Sequence, residues 1–390
     1  MTDGANLCTL EVGGQIYGGW ERLEIQRSLE QIAGGFALQV TTRWPGSDAV
    51  IGLPAGLACV VKLGSDVVIT GFIDTVEPDC TATTSTLRLE GRDKTGDLVD
   101  CSAIFKTGQW RGVKLEQIVA DIAAPFGIKV VVATDTGEVF KRYALEEGEK
   151  AFDAIDRACR LRAVLVTSTP DGHLLLTTAS STSTGVLLAE GVNMLRFGAT
   201  HSWRERHSII NMKTQVPGDD DESGASAAHL KAAAADAEIN RYRPLTVVAE
   251  HGTSAEALAG RAAWEAKVRM GRGKRGRCTV VGWRTGKDGQ EGPLWLPNTL
   301  VQVRSERMGL DMELLIVSCS YQLTEEGQLC ELVFVRPEAF TLIDGAARSR
   351  LKGKLNDKIQ SEKNKKAGGF VPLWELSPPN PRDPRGSAPK

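Results

Sequence analysis

The chain has 390 residues, of which 42% are hydrophobic and 25% are charged, and its formal net charge is −2 at pH 7. This balance is typical of a globular protein with several domains and excludes a disordered or fibrous chain. Because no apolar run is long enough to cross a bilayer and the N-terminus lacks the features of a signal peptide, we expect no membrane-spanning segment.

Charge and cysteine are distributed unevenly in informative ways. Residues 341–390 contain eleven Lys/Arg and five Asp/Glu, whereas the remainder contains 36 basic and 44 acidic residues. A basic tail on an acidic body predicts an interaction arm, with a solvated helix as the alternative. The eight cysteines form no Cys-x-x-Cys pair. Their spacing predicts reduced core residues and assembly in a cytoplasm.

The first part of the chain has the pattern of short strands. Apolar residues alternate at Leu10-x-Val12 and Phe36-x-Leu38-x-Val40, and Gly, Pro, Asp and Thr clusters separate the runs. This spacing predicts a small β-barrel or β-sandwich domain over residues 1–105.

Residues 106–185 predict an inserted α/β module. Apolar residues recur at helical spacing from Leu115 to Ile122, and a second helix places Phe152, Ile155 and Cys159 on one face. A Pro170-Asp171-Gly172 turn between two apolar runs predicts a hairpin, because proline and glycine favour the turn's dihedral angles.

The next segments predict a return to β structure and then a helical connection. Residues 186–215 are expected to complete the first barrel, and residues 216–275 to be mainly helical. The acidic run 217–224 predicts a loop. An alanine-rich stretch, 225–237, predicts a helix from propensity. Another helix is expected over 253–270, where Thr253-x-x-Glu256 has the form of a capping box.

Residues 276–344 predict a second β-barrel domain, and residues 345–390 a basic helix followed by a Pro-rich tail. The predicted fold class is therefore α+β and β-rich, with two β domains, an inserted α/β module and a basic helical tail.

One pattern occurs twice in the predicted β segments. Leu-Pro-x-x-Leu-x-x-Val stands at 53–60 and again at 296–303, after Trp44 and Trp283 respectively. We match the apolar runs 67–69 and 314–316, and Leu87-x-Leu89 with Leu332-x-Phe334, as further parts of the repeat. Two similar units in a chain become six in a trimer, which suits a sixfold partner. The alternative is that two unrelated antiparallel sheets share alternation.

No pattern in the chain indicates catalysis, a metal or a cofactor. His201 and His207 lack zinc-ligand spacing, and the acidic run 217–224 lacks the spacing of a calcium loop. Gly271 to Arg277 does not have the phosphate-loop spacing. We therefore expect a protein that is not an enzyme and that holds neither metal nor cofactor.

Two charged segments are the candidate partner-binding regions. Five basic side chains between Arg269 and Arg277 could bind a nucleic-acid backbone or pack on acidic neighbours, and the acidic body favours the second. A charged turn follows the first β segment, where Asp side chains could instead cap a turn. The candidate interface residues are Arg92, Asp93, Lys94, Asp97, Asp100, Arg272, Lys274, Arg275, Arg277, Lys352 and Lys354.

The run Gly91 to Ser102 resembles the linker after the first β domain of the baseplate hub proteins of contractile-tailed, Mu-like phages. The helix from Gly148 to Arg160 with its following hairpin, and the segments 282–283, 294–298 and 314–317, resemble the same family in order, so the similarity covers roughly residues 5–340.

The resemblance implies a structural homotrimer in the virion, with no catalysis and no cofactor. Each chain would contribute two tube-protein-like β-barrels to a ring that joins the sixfold tail tube to the threefold central spike, beside other baseplate proteins. DNA would only pass through the lumen of this ring.

Three alternatives remain open. The chain could be the equivalent hub of an R-type bacteriocin or another contractile injection device. It could be a peptidoglycan-binding protein, because Tyr143, Gly148-Glu149, Phe152 and Ile155 resemble part of a LysM module. It could also bind nucleic acid through Arg269 to Arg277 and the basic tail, which would require salt-sensitive DNA binding.

Overall fold

The computed structural model describes residues 7–41, 52–81, 84–162, 164–214, 230–249 and 255–340. Trp44, the acidic loop 217–224, Thr253 of the capping box, the basic helix and the Pro-rich tail lie outside the described residues. The described chain is α+β and rich in strands, as predicted. It has no helix with both the length and the apolar character that a membrane span requires.

The first β unit consists of seven strands in antiparallel pairs. Alternate side chains of each strand enter one apolar core, so that Leu10, Ile25, Leu38 and Leu89 are inaccessible to solvent. This period of two is the physical reason that the runs are strands. The strands are β1 Cys8–Val12, β2 Gln15–Tyr17, β3 Arg22–Ser28, β4 Gly35–Thr41, β5 Ala58–Leu63, β6 Asp66–Cys80 and β7 Ser85–Asp93.

The insertion that follows is a separate packed unit with its own core, in which Leu98, Leu115, Ile118 and Ile155 are fully buried. The predicted hairpin is confirmed, because two antiparallel strands flank the turn at Gly172. The elements are α1 Gly96–Asp100, β8 Gln109–Trp110, α2 Leu115–Ala123, β9 Val130–Val132, β10 Tyr143–Ala144, α3 Ala151–Leu161, β11 Leu165–Ser168 and β12 Leu174–Thr177, with a 3-10 turn at Ala124–Phe126.

The remaining elements form a second large β unit and a small sheet covered by a helix. They are β13 Ser183–Ala189, β14 Arg196–His201, β15 Ile209–Thr214, β16 Leu230–Ala235, β17 Pro244–Ala249, α4 Ala255–Arg272, β18 Lys274–Val281, β19 Leu300–Ser305, β20 Leu310–Thr324 and β21 Gly327–Val335, with 3-10 turns at Lys287–Gly289 and Pro337–Ala339. Strands β15, β16 and β17 form the small sheet.

The expected completion of the first unit by residues 186–215 is wrong. Strand β13 pairs with β19, and β14 pairs with β18, so both belong to the second unit. Strand β15 lies in the small sheet instead. Local pattern identified the strands, but their partners are distant in sequence and only the fold selects them.

The helix predicted for the alanine-rich stretch is also wrong within the described residues. Leu230–Ala235 is strand β16, paired with β15 along its whole length. Ala232 and Ala234 face helix α4 and pack against its core, which contains Ala262. The small preference of alanine for helix is outweighed by cross-strand hydrogen bonds and by the close approach that methyl side chains allow.

The two large units repeat one strand order. The order is β3-β4-β7-β6-β5 in the first and β14-β18-β21-β20-β19 in the second. Glu77 pairs with Arg88 in the first unit as Ser320 pairs with Glu331 in the second. The difference in residue number is the same from Glu77 to Ser320 and from Arg88 to Glu331. The two Leu-Pro-x-x-Leu-x-x-Val motifs are separated by this same difference.

The register corrects two of the sequence matches. From the sequence alone, we match run 67–69 with 314–316, and Leu87 with Leu332. Both matches are wrong, because each has a larger difference in residue number than the one that relates the paired strands. Apolar alternation cannot distinguish registers that differ by two or by four residues, because an even shift leaves the same kind of side chain on the same face. The outer strands also differ, since β1 is antiparallel to β5 whereas β13 is parallel to β19.

A close backbone contact fixes the pairing of β6 with β7. A Cβ atom on Gly71 would lie 1.9 Å from the backbone oxygen of Arg92, so no larger residue fits. On β4 of the same sheet, a Cβ on Gly35 would make its nearest contact at 3.7 Å, an ordinary van der Waals distance.

We expect Gly71→Ala to lower the free energy of unfolding by about 3 kcal/mol, because the strands must separate to admit the methyl group. Gly35→Ala is the matched control and should change stability by less than about 1 kcal/mol. Urea denaturation monitored by circular dichroism measures both, and equal stabilities of the two variants would contradict the proposed contact.

Candidate assembly surface of the main sheet

The two β units are joined edge to edge within the chain. The second half of β20 pairs antiparallel with β3, from Ser318 opposite Ser28 to Leu323 opposite Leu23. We call this contact the internal seam. It makes one continuous sheet of the two units, with eight strands in the order β14-β18-β21-β20-β3-β4-β7-β6.

One face of the internal seam is apolar and fully buried. Tyr321 and Ile25 lie opposite each other there, and both are inaccessible to solvent. The Tyr321 hydroxyl donates to the backbone oxygen of Trp295. Its pKa is raised well above the usual value, because burial disfavours the phenolate. This face carries the packed core that the two β units share.

The opposite face of the internal seam is polar and forms a groove with a cavity volume of about 310 Å³. The Ser320 hydroxyl donates to Glu24 Oε1 over 3.1 Å, and Arg22 pairs with Glu325 at 2.8 Å. The groove is lined by residues from β3, β18, β20 and β21 and from the loop after β3: Glu24, Gln26, Ser28, Glu30, Gln31, Arg275, Arg277, Ser318, Ser320, Gln322, Glu331 and Val333.

The predicted basic cluster lies beside this groove and is paired with acids. Lys274 Nζ lies 2.9 Å from Glu238, and Arg277 Nε lies 3.1 Å from Glu331. Arg275 forms an ion pair with Glu30 of the first unit. The interpretation that this segment packs on acidic neighbours is therefore confirmed for these three residues. Arg272 is exposed at the end of α4.

A buried ion-pair group holds the small sheet against β18. Arg206 is 1% exposed, and its Nε and Nη2 atoms donate to both oxygens of Asp236 at 2.9 Å. Arg206 also contacts Glu238, which Lys274 contacts in turn. Hydrogen bonds from Lys274 and Arg206 lower the pKa of Glu238, because both favour its charged form. Sequence analysis missed Arg206 and its acidic partners, because they are not neighbours in the sequence.

The predicted charged turn divides into exposed and internal residues. Arg92 Nε contacts Asp74 at 2.6 Å and its Nη2 contacts Asp100 at 2.7 Å. The hydrogen bond from Arg92 lowers the pKa of Asp100. Asp97 is exposed, and Lys94 is half-buried. Lys352 and Lys354 lie outside the described residues.

Asp93 is 3% exposed and corrects the expectation that it contacts a partner. Its Oδ2 accepts from the Gly34 amide at 2.8 Å, and its Oδ1 accepts from the Thr95 amide at 2.9 Å. A bond from Ser168 joins this site to the insertion, and Arg27 Nη2 donates to the Ser168 backbone oxygen at 2.6 Å. Burial raises the pKa of Asp93, while these bonds oppose the shift. Asp93 therefore fixes the insertion to the first unit.

Of the residues that suggested a LysM module, Tyr143 and Ile155 belong to the insertion's core, Phe152 packs against that core, and Gly148 is exposed. Tyr143 is 3% exposed, and Ile155 is fully buried. The Arg157 guanidinium covers the Tyr143 ring at 4.5 Å and pairs with Glu149. Tyr143 therefore has no free ring face on which a sugar could stack. Among the described residues, no group of three His, Cys, Asp or Glu side chains could hold a metal ion.

We expect Asp93→Ala to destabilise the chain by about 1–3 kcal/mol, because the buried amides of Gly34 and Thr95 lose their acceptor. Asp97→Ala, in the same turn but exposed, is the matched control and should be nearly neutral. Limited proteolysis near residue 95 should accelerate only in Asp93→Ala. If both variants are cleaved at the wild-type rate, Asp93 does not anchor the insertion.

Four domain models match successive parts of the chain. Residues 8–93 match "Mu phage baseplate assembly protein GpP-like, N-terminal", and residues 95–178 match "Baseplate hub protein gp44-like, second domain". Residues 206–263 match "Tail protein NMB1110-like, third domain", and residues 253–343 match "Mu phage baseplate assembly protein GpP, fourth domain".

Individual relatives agree with these matches. The baseplate hub protein gp44 of Escherichia phage Mu is 33% identical over 358 residues, which cover 90% of this chain and 93% of gp44. The 43 kDa tail protein of prophage MuSo2 from Shewanella oneidensis is 39% identical, with a TM-score of 0.77 over 87% of this chain and 100% of that one.

A tail protein from Neisseria meningitidis MC58 shares the fold, with 24% identity and a TM-score of 0.74 over 86% of this chain and 98% of that one. The relatives are phage baseplate and tail proteins, which are structural components of the virion. The 33% identity to gp44, which extends over 90% of the sequence, shows that this chain belongs to the family of Mu-like phage baseplate hub proteins.

Proposed function

We propose that the chain forms a homotrimeric ring in the tail baseplate, which joins the sixfold tail tube to the threefold central spike. The observation that carries the proposal is the repeated strand order of the two β units, joined edge to edge by β20 and β3. Three chains supply six similar units for a sixfold partner, while differences between the two units preserve threefold symmetry for the other.

The free edges of the sheet support closure into a ring. The second half of β6, from Thr75 to Cys80, pairs with β7 on one side, and no described strand pairs with its other side. Strand β14 pairs only with β18 among the described strands. These two edges are the counterparts of the edges that form the internal seam, so a second copy can repeat that contact. A head-to-tail contact closes into a ring when its rotation fits.

The size of such a ring suits the passage of DNA. Eight strands from each of three chains give about 24 strands. At ~4.8 Å spacing these strands close into a circle with a backbone diameter of about 37 Å. The apolar face carries a further layer that includes β5, β1 and β19, and this layer requires the larger outer circumference. The polar face therefore lines the lumen in the proposed ring.

The charge of the polar face supports the same role. A basic lining would retain the phosphate backbone of DNA. On the described face, Arg88 pairs with Glu90 at 2.6 Å, Arg277 with Glu331 at 3.1 Å, and Arg275 with Glu30. The carboxylates neutralise the arginines locally, so a duplex can pass with little binding.

The segments attached to the two units would distinguish the partners. The insertion follows the first unit, whereas the small sheet and α4 precede β18 of the second. We propose that these attachments contact the spike and the other baseplate proteins, and that Arg92, Lys94, Asp97, Asp100, Arg272, Lys352 and Lys354 contribute to such contacts. The protein would be assembled in the host cytoplasm and reside in the virion.

We expect light scattering to give the mass of a trimer, either for the purified chain or after the spike protein is added. Negative-stain images of the same sample should show rings with a central opening. A stable dimer, or a monomer that persists with the spike protein present, would contradict the proposed function.

We expect deletion of residues 345–390 to leave the ring intact and to weaken binding to a baseplate partner, because a basic arm is predicted to bind rather than to build the core. Light scattering measures the first effect and pull-down of tail components the second. A truncated chain that fails to fold would show that these residues are needed for the core.

A further inference from the structure

We infer that the seam between copies joins residues 76–80 of β6 to residues 197–201 of β14 in the next chain, and that an Asp79–Arg196 ion pair sets its register. This inference rests on the proposed ring and names the residues that close it. The partner is a second copy of the chain.

The register follows from the repeat in the fold. Strand β20 corresponds to strand β6 at the offset of the two motifs, since both strands carry a bulge at the same place, at Val317 and Asp74. Strand β14 pairs with β18 as β3 pairs with β4, so that Arg196 corresponds to Arg22. In the internal seam, Ser320 lies opposite Gln26 and Gln322 opposite Glu24. The same geometry places Glu77 opposite Thr200 and Asp79 opposite Gly198.

Burial indicates that these edges lack a covering strand. Tyr321 and Cys319 of the internal seam are inaccessible to solvent, whereas their counterparts on β6 are less buried: Pro78 is exposed and Val76 half-buried. On the other edge, Ile25 is inaccessible, whereas its counterpart Ala199 is half-buried. A strand laid across each edge would bury these apolar side chains as β20 and β3 bury theirs.

Charge complementarity selects a second copy as the covering strand. In the inferred register, Arg196 is two residues along β14 from the position opposite Asp79, and both side chains lie on the polar face. Diagonal neighbours of this kind are ~7–8 Å apart at the backbone, which is within reach of a long side chain. Among the described residues, neither Asp79 nor Arg196 has an oppositely charged partner within ion-pair distance.

Pro78 is compatible with this seam and limits it. The Thr81 amide donates to the Thr84 oxygen across the hairpin and so points toward β7. Successive amides of a strand point to opposite sides, so the amides of β6 that are an odd number of residues from Thr81 point to the free edge. Position 78 is one of these, and proline there leaves the β6–β7 ladder intact while presenting a carbonyl but no N–H at the edge. The seam between chains therefore has one hydrogen bond fewer than the internal seam. Proline also protects the free edge from unspecific pairing.

The test is a charge reversal followed by light scattering of the full chain, with the spike protein added if wild-type assembly requires it. Asp79→Arg and Arg196→Asp should each raise the concentration needed for half-assembly by roughly tenfold or more, and the double variant should restore assembly. Glu325→Arg, at the ion pair beside the internal seam, is the control and should leave trimer formation unchanged.

A cross-link tests the register independently, in a background with Cys80→Ser and Cys101→Ser. Glu77→Cys with Thr200→Cys should give disulfide-linked trimers on a non-reducing gel, whereas Ser320→Cys with Gln26→Cys should cross-link only within one chain.

The outcomes separate the two proposals. A wild-type chain that does not form trimers contradicts the proposed function, and the inference with it. The inference alone is overturned if the wild type forms trimers, both charge-reversal variants assemble as the wild type does, and no cross-link forms between positions 77 and 200.

Discussion

The hydrogen-bonded contact between β20 and β3 is the constraint on which the rest of the structure depends. It joins strands from opposite ends of the described sequence and makes one sheet of two units. Because side chains alternate along a strand, this register decides at once that Tyr321 and Ile25 enter the core and that Ser320 and Glu24 face the groove. A slip by one residue would exchange the two faces.

A bulge allows the two halves of one strand to pair with two different neighbouring strands. The first half of β20 pairs with β19 and the second half with β3, and the change of partner lies near the irregularity at Val317. Strand β6 has its irregularity at the matching place, at Asp74, after the half that pairs with β5. A bulge bends and twists its strand, which redirects the second half toward a new partner. The second half of β6 thus has the same place in the first unit that the second half of β20 has in the second.

Several charged side chains that the structure describes are neutralised by ion pairs with one another. Asp93 and Arg206 are buried and hold attached segments against the main sheet, while Arg88, Arg275 and Arg277 pair with carboxylates on its polar face. A cluster that looks basic in sequence is thereby close to neutral in space. Exposed pairs of this kind add little stability, so their principal effect is to weaken the positive field over this face.

The sequence by itself determined the local elements and the family. Alternation located strands such as β1, β4, β7 and β20, although it did not locate β3. Helical spacing located α2 and α3, and Pro170 to Gly172 located the hairpin, because these signals depend on residues close in the chain. The motif at 53–60 and 296–303 revealed the repeat, and segments such as Gly91 to Ser102 identified the family. Only the tertiary structure decided which strands pair. It assigned β13 and β14 to the second unit, made a strand of Leu230–Ala235, and matched Glu30 with Arg275, because such pairings depend on partners far away in sequence that local propensity does not specify.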